Sequence, residues 1–291
     1  MKYQYGILVS GNLGAIVLKN ILNTTPVAFV FTDSKSEEII NFCKIKNIPF
    51  FVGNPRNGRS QNFLIENKCS VILSINYLFI IEEDVIKHPT KFAVNFHGSL
   101  LPKYRGRTPH VWSIINNEQK SGITAHLIDD GCDTGDIIEQ IEIEISKTDT
   151  GASILNKFNE KYFPLVQKVI DKIENDTISF KPQDHSKATY FGKRTPEDGL
   201  IDWNWHKERI FNWVRALSNP YPGAFSFMNG TKIIIDQVSF SDIGFNDDFE
   251  NGTILQTSPL SVKCPNGVIQ IDTLREKHAN FEIGQILNSL K

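Results

Sequence analysis

Cysteine is scarce in this chain, and its four copies, Cys43, Cys69, Cys132 and Cys264, stand far apart. They form no CxxC pair and no zinc spacing, which argues against a thiolate metal centre and a disulfide framework and leaves reduced thiols as the simplest reading. Long apolar runs are also missing; none approaches the roughly 18 uninterrupted apolar residues of a membrane span. Positive charge is not in surplus either. The 31 basic residues are matched by 33 acidic ones, for a net charge of −2, so the basic footprint of a nucleic-acid binder is absent. Met1-Lys2-Tyr3-Gln4-Tyr5 runs straight into a strand, which leaves no room for a signal peptide and points to the cytoplasm. Repeats, charge blocks and low-complexity tracts are likewise lacking.

What remains is ordinary globular composition, 40% hydrophobic and 22% charged, over 291 residues, a length that suggests two domains. The first half alternates strand-like and helix-like segments. Strands are expected at 6–10, 27–32, 49–52, 71–75 and 92–97, with helices from the Gly11-Asn12-Leu13-Gly14 turn to about Leu22, over 37–46, and at a short start near Glu82-Glu83-Asp84. Such alternation predicts a Rossmann-like, mostly parallel sheet covered on both faces. Later strands are expected at 123–128 and 137–145, then a long amphipathic helix over 152–173 with Thr150 as N-cap. From about residue 185 the pattern changes: after a helix over 208–217, short β runs are punctuated by Asn229-Gly230, Asn251-Gly252 and Asn266-Gly267, each a hairpin signal. The boundaries are therefore 1–185 for an α/β domain and 186–291 for a smaller β-rich, OB-like one.

Chemistry concentrates at Phe92-Ala93-Val94-Asn95-Phe96-His97-Gly98. Residues two apart on a strand share a face, so Asn95 and His97 point the same way, offering an amide donor and an acid/base group usable near neutral pH. Gly98 and Pro102 turn the chain out of the sheet, where α/β folds place their ligand crevice. Lys103, Arg105 and Arg107 follow, a cationic run that suits a phosphate or carboxylate, or simply a solvated loop. A second constellation, Asp129-Asp130-Gly131-Cys132-Asp133-Thr134-Gly135-Asp136, lacks the terminal Glu of a calcium loop and reads as a close-approach loop or a plain acidic turn. Gly11-Asn12-Leu13-Gly14 lacks the full GxGxxG spacing, so a nicotinamide dehydrogenase is poorly supported.

Asn95-Phe96-His97-Gly98-Ser99-Leu100-Leu101-Pro102, with Asp133 following His97 by 36 positions inside Cys132-Asp133-Thr134-Gly135, resembles the formyltransferases that use N10-formyltetrahydrofolate. The similarity extends to Lys103-Tyr104-Arg105-Gly106-Arg107, to Arg194-Thr195-Pro196-Glu197-Asp198-Gly199 and to Asn219-Pro220-Tyr221-Pro222-Gly223-Ala224-Phe225. It implies a catalytic set of Asn95, His97 and Asp133, and a folate site of Phe79, Ile80, Ile81, Arg107 and the loop Asp129, Asp130, Gly131 and Cys132. Lys103, Tyr104 and Arg194 are implied on the acceptor, with Tyr104 packing on a sugar and Asp133 raising the pKa of His97. No metal is required.

Among acceptors, the resemblance favours a nucleotide-linked (UDP or dTDP) amino-deoxy sugar, a 4-amino-4,6-dideoxy sugar by preference, serving surface glycan synthesis. Methionyl-tRNA formyltransferases carry a similar tail, but here the part from Leu200 onward holds 8 basic against 10 acidic residues, a net charge of −2, ill suited to RNA phosphates. A formyl-folate hydrolase and a non-catalytic folate-binding regulator are the remaining alternatives. Hairpin edges in the tail suggest a homodimer; no nucleic-acid or membrane partner is expected.

Overall fold

The computed structural model describes residues 1–276 and 280–288, which divide into two compact units. One comprises Met1–Gly106, Ser121–Ile143 and Lys157–Tyr190; the other comprises Arg107–Lys120, Glu144–Asn156 and the chain from Phe191 onward.

The first unit is built on strands β1 (Tyr5–Val9), β2 (Val27–Thr32), β3 (Phe50–Val52), β4 (Val71–Ile75) and β5 (Phe92–His97), a two-residue strand β6 (Arg105–Gly106), and β7 (Lys120–Leu127) and β8 (Ile137–Glu144). Seven of these form one sheet in the order β3-β2-β1-β4-β5-β7-β8. The strands from β3 to β5 pair in parallel, and β7 runs antiparallel to β5. Their apolar runs explain this: every residue of β1 and β4 is buried, as expected of strands covered on both faces. Helices α1 (Gly11–Thr24), α2 (Glu37–Lys46), α3 (Gln61–Glu66) and α4 (Glu83–Ile86) fill the crossovers. Gly11-Asn12-Leu13-Gly14 is not a turn ahead of a helix but the first turn of α1 itself. Leu8, Phe29, Phe31, Ile72 and Val85 belong to one apolar cluster against which Phe51, Phe63 and Ile81 pack.

Two short helices escape sequence periodicity, α3 and α5 (Pro109–Ile115); with 6 and 7 residues they are too brief to show a repeat. The long helix α6 (Gly151–Glu174) opens as expected, with the Ser153 amide donating to Thr150 Oγ1 at 3.2 Å. Its Phe158 and Tyr162 lie behind the turn after β5, where a Cβ on Gly98 would sit 3.1 Å from both.

After a two-residue strand β9 (Tyr190–Phe191) and helix α7 (Lys207–Leu217), the second unit carries an antiparallel sheet. Its strands are β10 (Ala224–Met228), β11 (Thr231–Ser241), β12 (Ile254–Thr257), β13 (Leu260–Cys264) and β14 (Gly267–Leu274), in the order β10-β11-β14-β13-β12. Asn229 and Gly230 close the β10–β11 hairpin with φ of 50° and 77°, the two left-handed residues of a type I′ turn. Asn266 ends the β13–β14 loop, with Gly267 already paired to Cys264. The third Asn-Gly is different. Gly252 joins no hairpin; its φ of 92° lets the chain pass the Leu287 backbone so closely that a Cβ would collide with the Leu287 carbonyl.

Candidate active site

β5 delivers Asn95 and His97 to the carboxyl end of the parallel strands. Alternation does put both on one face, and both reach Asp133: Asn95 Nδ2 lies 3.4 Å from Oδ1, and His97 Nδ1 lies 3.4 Å from Oδ2. The turn after β5 is fixed by hydrogen bonds. Thr124 Oγ1 donates to the Ser99 carbonyl at 2.6 Å and accepts from the Leu101 amide at 3.1 Å, and Gln140 Nε2 donates to the Leu101 carbonyl at 3.0 Å. Tyr104 then adopts φ of 61°, a left-handed conformation that costs a non-glycine residue about 1–2 kcal/mol. It turns the Tyr104 carbonyl onto His97 Nε2 at 2.8 Å. A carbonyl only accepts, so Nε2 carries the hydrogen and the neutral ring leaves its Nδ1 lone pair facing Asp133.

Asp133 also stands in the left-handed region, with φ of 55°, tolerable for aspartate. Its loop is self-bonded: Asp129 Oδ1 accepts from Thr134 Oγ1 at 2.5 Å and from the Gly131 amide at 3.1 Å. A Cβ on Gly131 would collide with Thr134. Gln183 staples the loop from behind, donating to the Asp133 carbonyl at 3.0 Å and the Gly135 carbonyl at 2.7 Å while accepting from buried Arg105 at 2.6 Å.

Charge follows from this packing. Burial alone would push the Asp133 carboxyl up, but the attraction of His97 whenever that ring is protonated, and the Gly106 amide, donating at 2.9 Å, hold it well below the ordinary carboxylate range. Burial moves the His97 ring below its usual value, against the upward pull of Asp133 and the Tyr104 carbonyl. Asp133 does pull the His97 pKa upward, as expected, but desolvation of a ring only 7% exposed outweighs that pull and the net shift is downward.

The other residues named from sequence take varied positions. Ile81 packs on the apolar cluster, Phe79 lies edge-on to Tyr77 with ring centroids 5.6 Å apart, and Ile80 is 63% exposed. Asp129, Asp130, Gly131 and Cys132 are exposed, as are Lys103 and Arg107. Tyr104 is buried, so its ring offers little surface to a sugar, and its contribution to this geometry is the carbonyl on His97. Arg194, in the second unit, lies with its guanidinium 4.4 Å from the Trp213 ring centroid and 5.0 Å from that of Trp112. It donates to the Asp198 carbonyl at 2.6 Å through Nη2, whereas Nη1 is buried without a hydrogen-bond partner. Beside it is a cavity of about 120 Å³ lined by Thr108, Val111, Leu217, Tyr221 and Pro222, in which Thr108 Oγ1 is also unpartnered.

Sequence reasoning missed His126, which lies 3.2 Å from Asn95 Nδ2 and 3.5 Å from Asp133 Oδ1 through its Nε2. It also missed Thr124 and Gln183. Thr124 and His126 share the β7 face that opposes His97 and Asn95, a period-two pattern readable in Ile123-Thr124-Ala125-His126-Leu127. Gln183 carries no local signal at all. Among the described residues no group of three or more His, Cys, Asp and Glu could hold a metal ion, and no helix is long and apolar enough to cross a membrane.

Known proteins place the chain in a family. The formyl transferase family model matches residues 8–170, and the formyl transferase C-terminal domain matches residues 193–291. The chain belongs to the formyl transferase family. It is 37% identical over 256 residues to the bifunctional polymyxin resistance protein ArnA of Wigglesworthia glossinidia brevipalpis, covering 86% of this chain and 39% of that protein. The chain thus spans well under half the length of that curated relative. Among solved structures, the N-formyltransferase of Helicobacter canadensis in complex with folinic acid and dTDP-3-aminofucose superposes with a TM-score of 0.73 at 21% identity, over 92% of this chain and 98% of that one. WlaRD, a sugar 3N-formyl transferase with dTDP and 5-N-formyl-THF, gives 0.71 at 21% identity, over 96% and 100%. A 4-N formyltransferase of Francisella tularensis gives 0.68 at 22%, over 83% and 99%. These establish the shared fold.

Proposed function

We propose that this chain moves a formyl group from N10-formyltetrahydrofolate to the amine of a nucleotide-linked amino-deoxy sugar, with Asn95, His97 and Asp133 as its catalytic residues. The observation that carries the reading is the meeting of these three side chains at one end of β5, with the carboxylate held ionised. The amine nitrogen attacks the formyl carbon, a C–N bond forms, and the nitrogen must shed a proton. The His97–Asp133 pair takes that proton at Nδ1, the ring atom left open because Nε2 is engaged by Tyr104. As the bond from the formyl carbon to folate N10 breaks, the proton returns to N10. Asn95 Nδ2 donates to the oxygen that gains negative charge, a role worth about 3–4 kcal/mol.

Within the first unit, exposed Ile80 and half-buried Phe79 and Ile81 suit the flat ring system of a folate co-substrate, and the exposed 129–132 loop suits its polar edge. Arg107, which the resemblance adds, has the charge to suit its carboxylates. In the second unit, the unpartnered Arg194 Nη1 and Thr108 Oγ1 beside their cavity suit the oxygens of an acceptor nucleotide. Lys103, an exposed cation of the first unit, is a further acceptor residue that the resemblance implies. The folate- and dTDP-bound relatives support the same pairing of donor and acceptor. A 4-amino-4,6-dideoxy sugar destined for surface glycan, handled by a homodimer in the cytoplasm, is the finer form of the proposal. It is tested by incubating the purified chain with N10-formyltetrahydrofolate and a panel of UDP- and dTDP-linked amino sugars, with methionyl-tRNA and no acceptor as separate arms. A formyl mass gain confined to a sugar nucleotide is expected. Gain on tRNA alone, or formate release without acceptor, overturns the reading.

A further inference from the structure

We infer that His126 is a positioning residue that fixes which way the Asn95 amide faces, an inference that rests on the formyl-transfer reading above. Asn95 and His126 are directly opposed in the antiparallel β5–β7 pair, where facing side chains stand within contact distance. His126 is 2% exposed, and its Nδ1 lies 2.7 Å from the Leu127 carbonyl. That carbonyl can only accept, so Nδ1 carries a ring hydrogen, and in the tautomer with its hydrogen there the ring turns a lone pair at Nε2 toward Asn95 Nδ2, 3.2 Å away. The Leu127 carbonyl is itself held in place. Its own amide donates to the Asp136 carbonyl at 2.9 Å, and glycine at 135 is required because a Cβ there would collide with the Leu127 carbonyl.

The consequence concerns the two hydrogens on Asn95 Nδ2. One goes to His126; the other points at Asp133 Oδ1 across a long 3.4 Å. The longer, weaker contact is the one a developing oxyanion displaces, while the bond to His126 stays. Without His126, only the long contact resists rotation about the soft terminal torsion of asparagine. A half-turn would present the amide oxygen to the oxyanion and replace attraction by repulsion. The tautomer of a buried histidine thus sets the polarity of the oxyanion donor.

The test compares His126→Leu, which removes the acceptor, with His126→Gln, whose side-chain oxygen can accept from Asn95, each also in an Asn95→Ala background. His126→Leu should lower kcat about 10- to 100-fold, with KM for both substrates within about twofold of the unaltered chain, and His126→Gln should recover most of the loss. In the Asn95→Ala background His126→Leu should cost little more, because its effect runs through the missing amide. Equal losses in Leu and Gln variants, or additive losses with Asn95→Ala, overturn the inference. If Asn95→Ala itself leaves kcat intact, the catalytic reading fails and this inference falls with it, an outcome distinct from losses that are equal or additive. Nitrogen-15 spectra of the unaltered chain give a check independent of variant folding: the His126 ring should be protonated at Nδ1, and a ring protonated at Nε2 contradicts the proposal.

Discussion

Two polar clusters of this molecule, one around β5 and one around Arg194, differ in how completely their groups are satisfied. Around β5, Asn95, His97, His126 and Asp133 answer one another, and backbone groups of Tyr104, Gly106 and Leu127 complete the set. In the second unit, Arg194 is stacked between two tryptophans yet keeps Nη1 without a partner, as does the Thr108 hydroxyl. A closed network is stiff and sets proton positions, which suits chemistry. Orphaned buried donors are costly unless a ligand supplies the missing acceptor, which suits binding. Under the proposed function, turnover belongs to the first site and acceptor affinity to the second.

Substitutions can break that division. His97→Ala should have the largest effect, lowering kcat by about 10²- to 10⁴-fold or more in steady-state formylation assays while circular dichroism stays native. Asn95→Ala should come next, with kcat down about 10²- to 10³-fold and KM for either substrate little changed; a loss confined to acceptor affinity would erase the contrast. Arg194→Lys keeps the charge but loses the planar fork, so KM for the acceptor should rise about tenfold with kcat nearly constant. A fall in kcat there would move catalysis into the second site.

The smallest effect concerns pH and the second unit alone. His110 bonds through Nε2 to the Tyr221 hydroxyl at 2.8 Å, and burial lowers its pKa to about 4. A lowered pKa means the unfolded chain binds the proton more readily. His110 therefore contributes stability above its unfolded value of 6.5, and that contribution is lost as pH falls toward 4. His110→Gln should flatten the decline of Tm between pH 6.5 and 4; an unchanged slope sinks the assignment.

Legibility from sequence divides along similar lines. The parallel sheet is written in apolar strands such as Val71–Ile75, and the shared face of Asn95 and His97 follows from strand periodicity alone. Asp133 was reached through a resemblance, since no local rule says a loop 36 residues on returns to His97. His126 went unnoticed because its partner is set by antiparallel register, which the chain does not declare locally. The Asn251-Gly252 pair misled for a related reason: the glycine serves a backbone approach to Leu287 rather than a turn. The sign of the His97 shift depended on burial, which only packing reveals.

The most direct test of the central claim follows formylation of a sugar-nucleotide amine by mass spectrometry, with the unaltered chain and Asp133→Asn side by side at saturating donor and acceptor. Asp133→Asn leaves the loop in place but removes the charge that partners His97 Nδ1. The account predicts a formyl mass gain with the unaltered chain and a rate lower by orders of magnitude with the variant. Equal rates would contradict it.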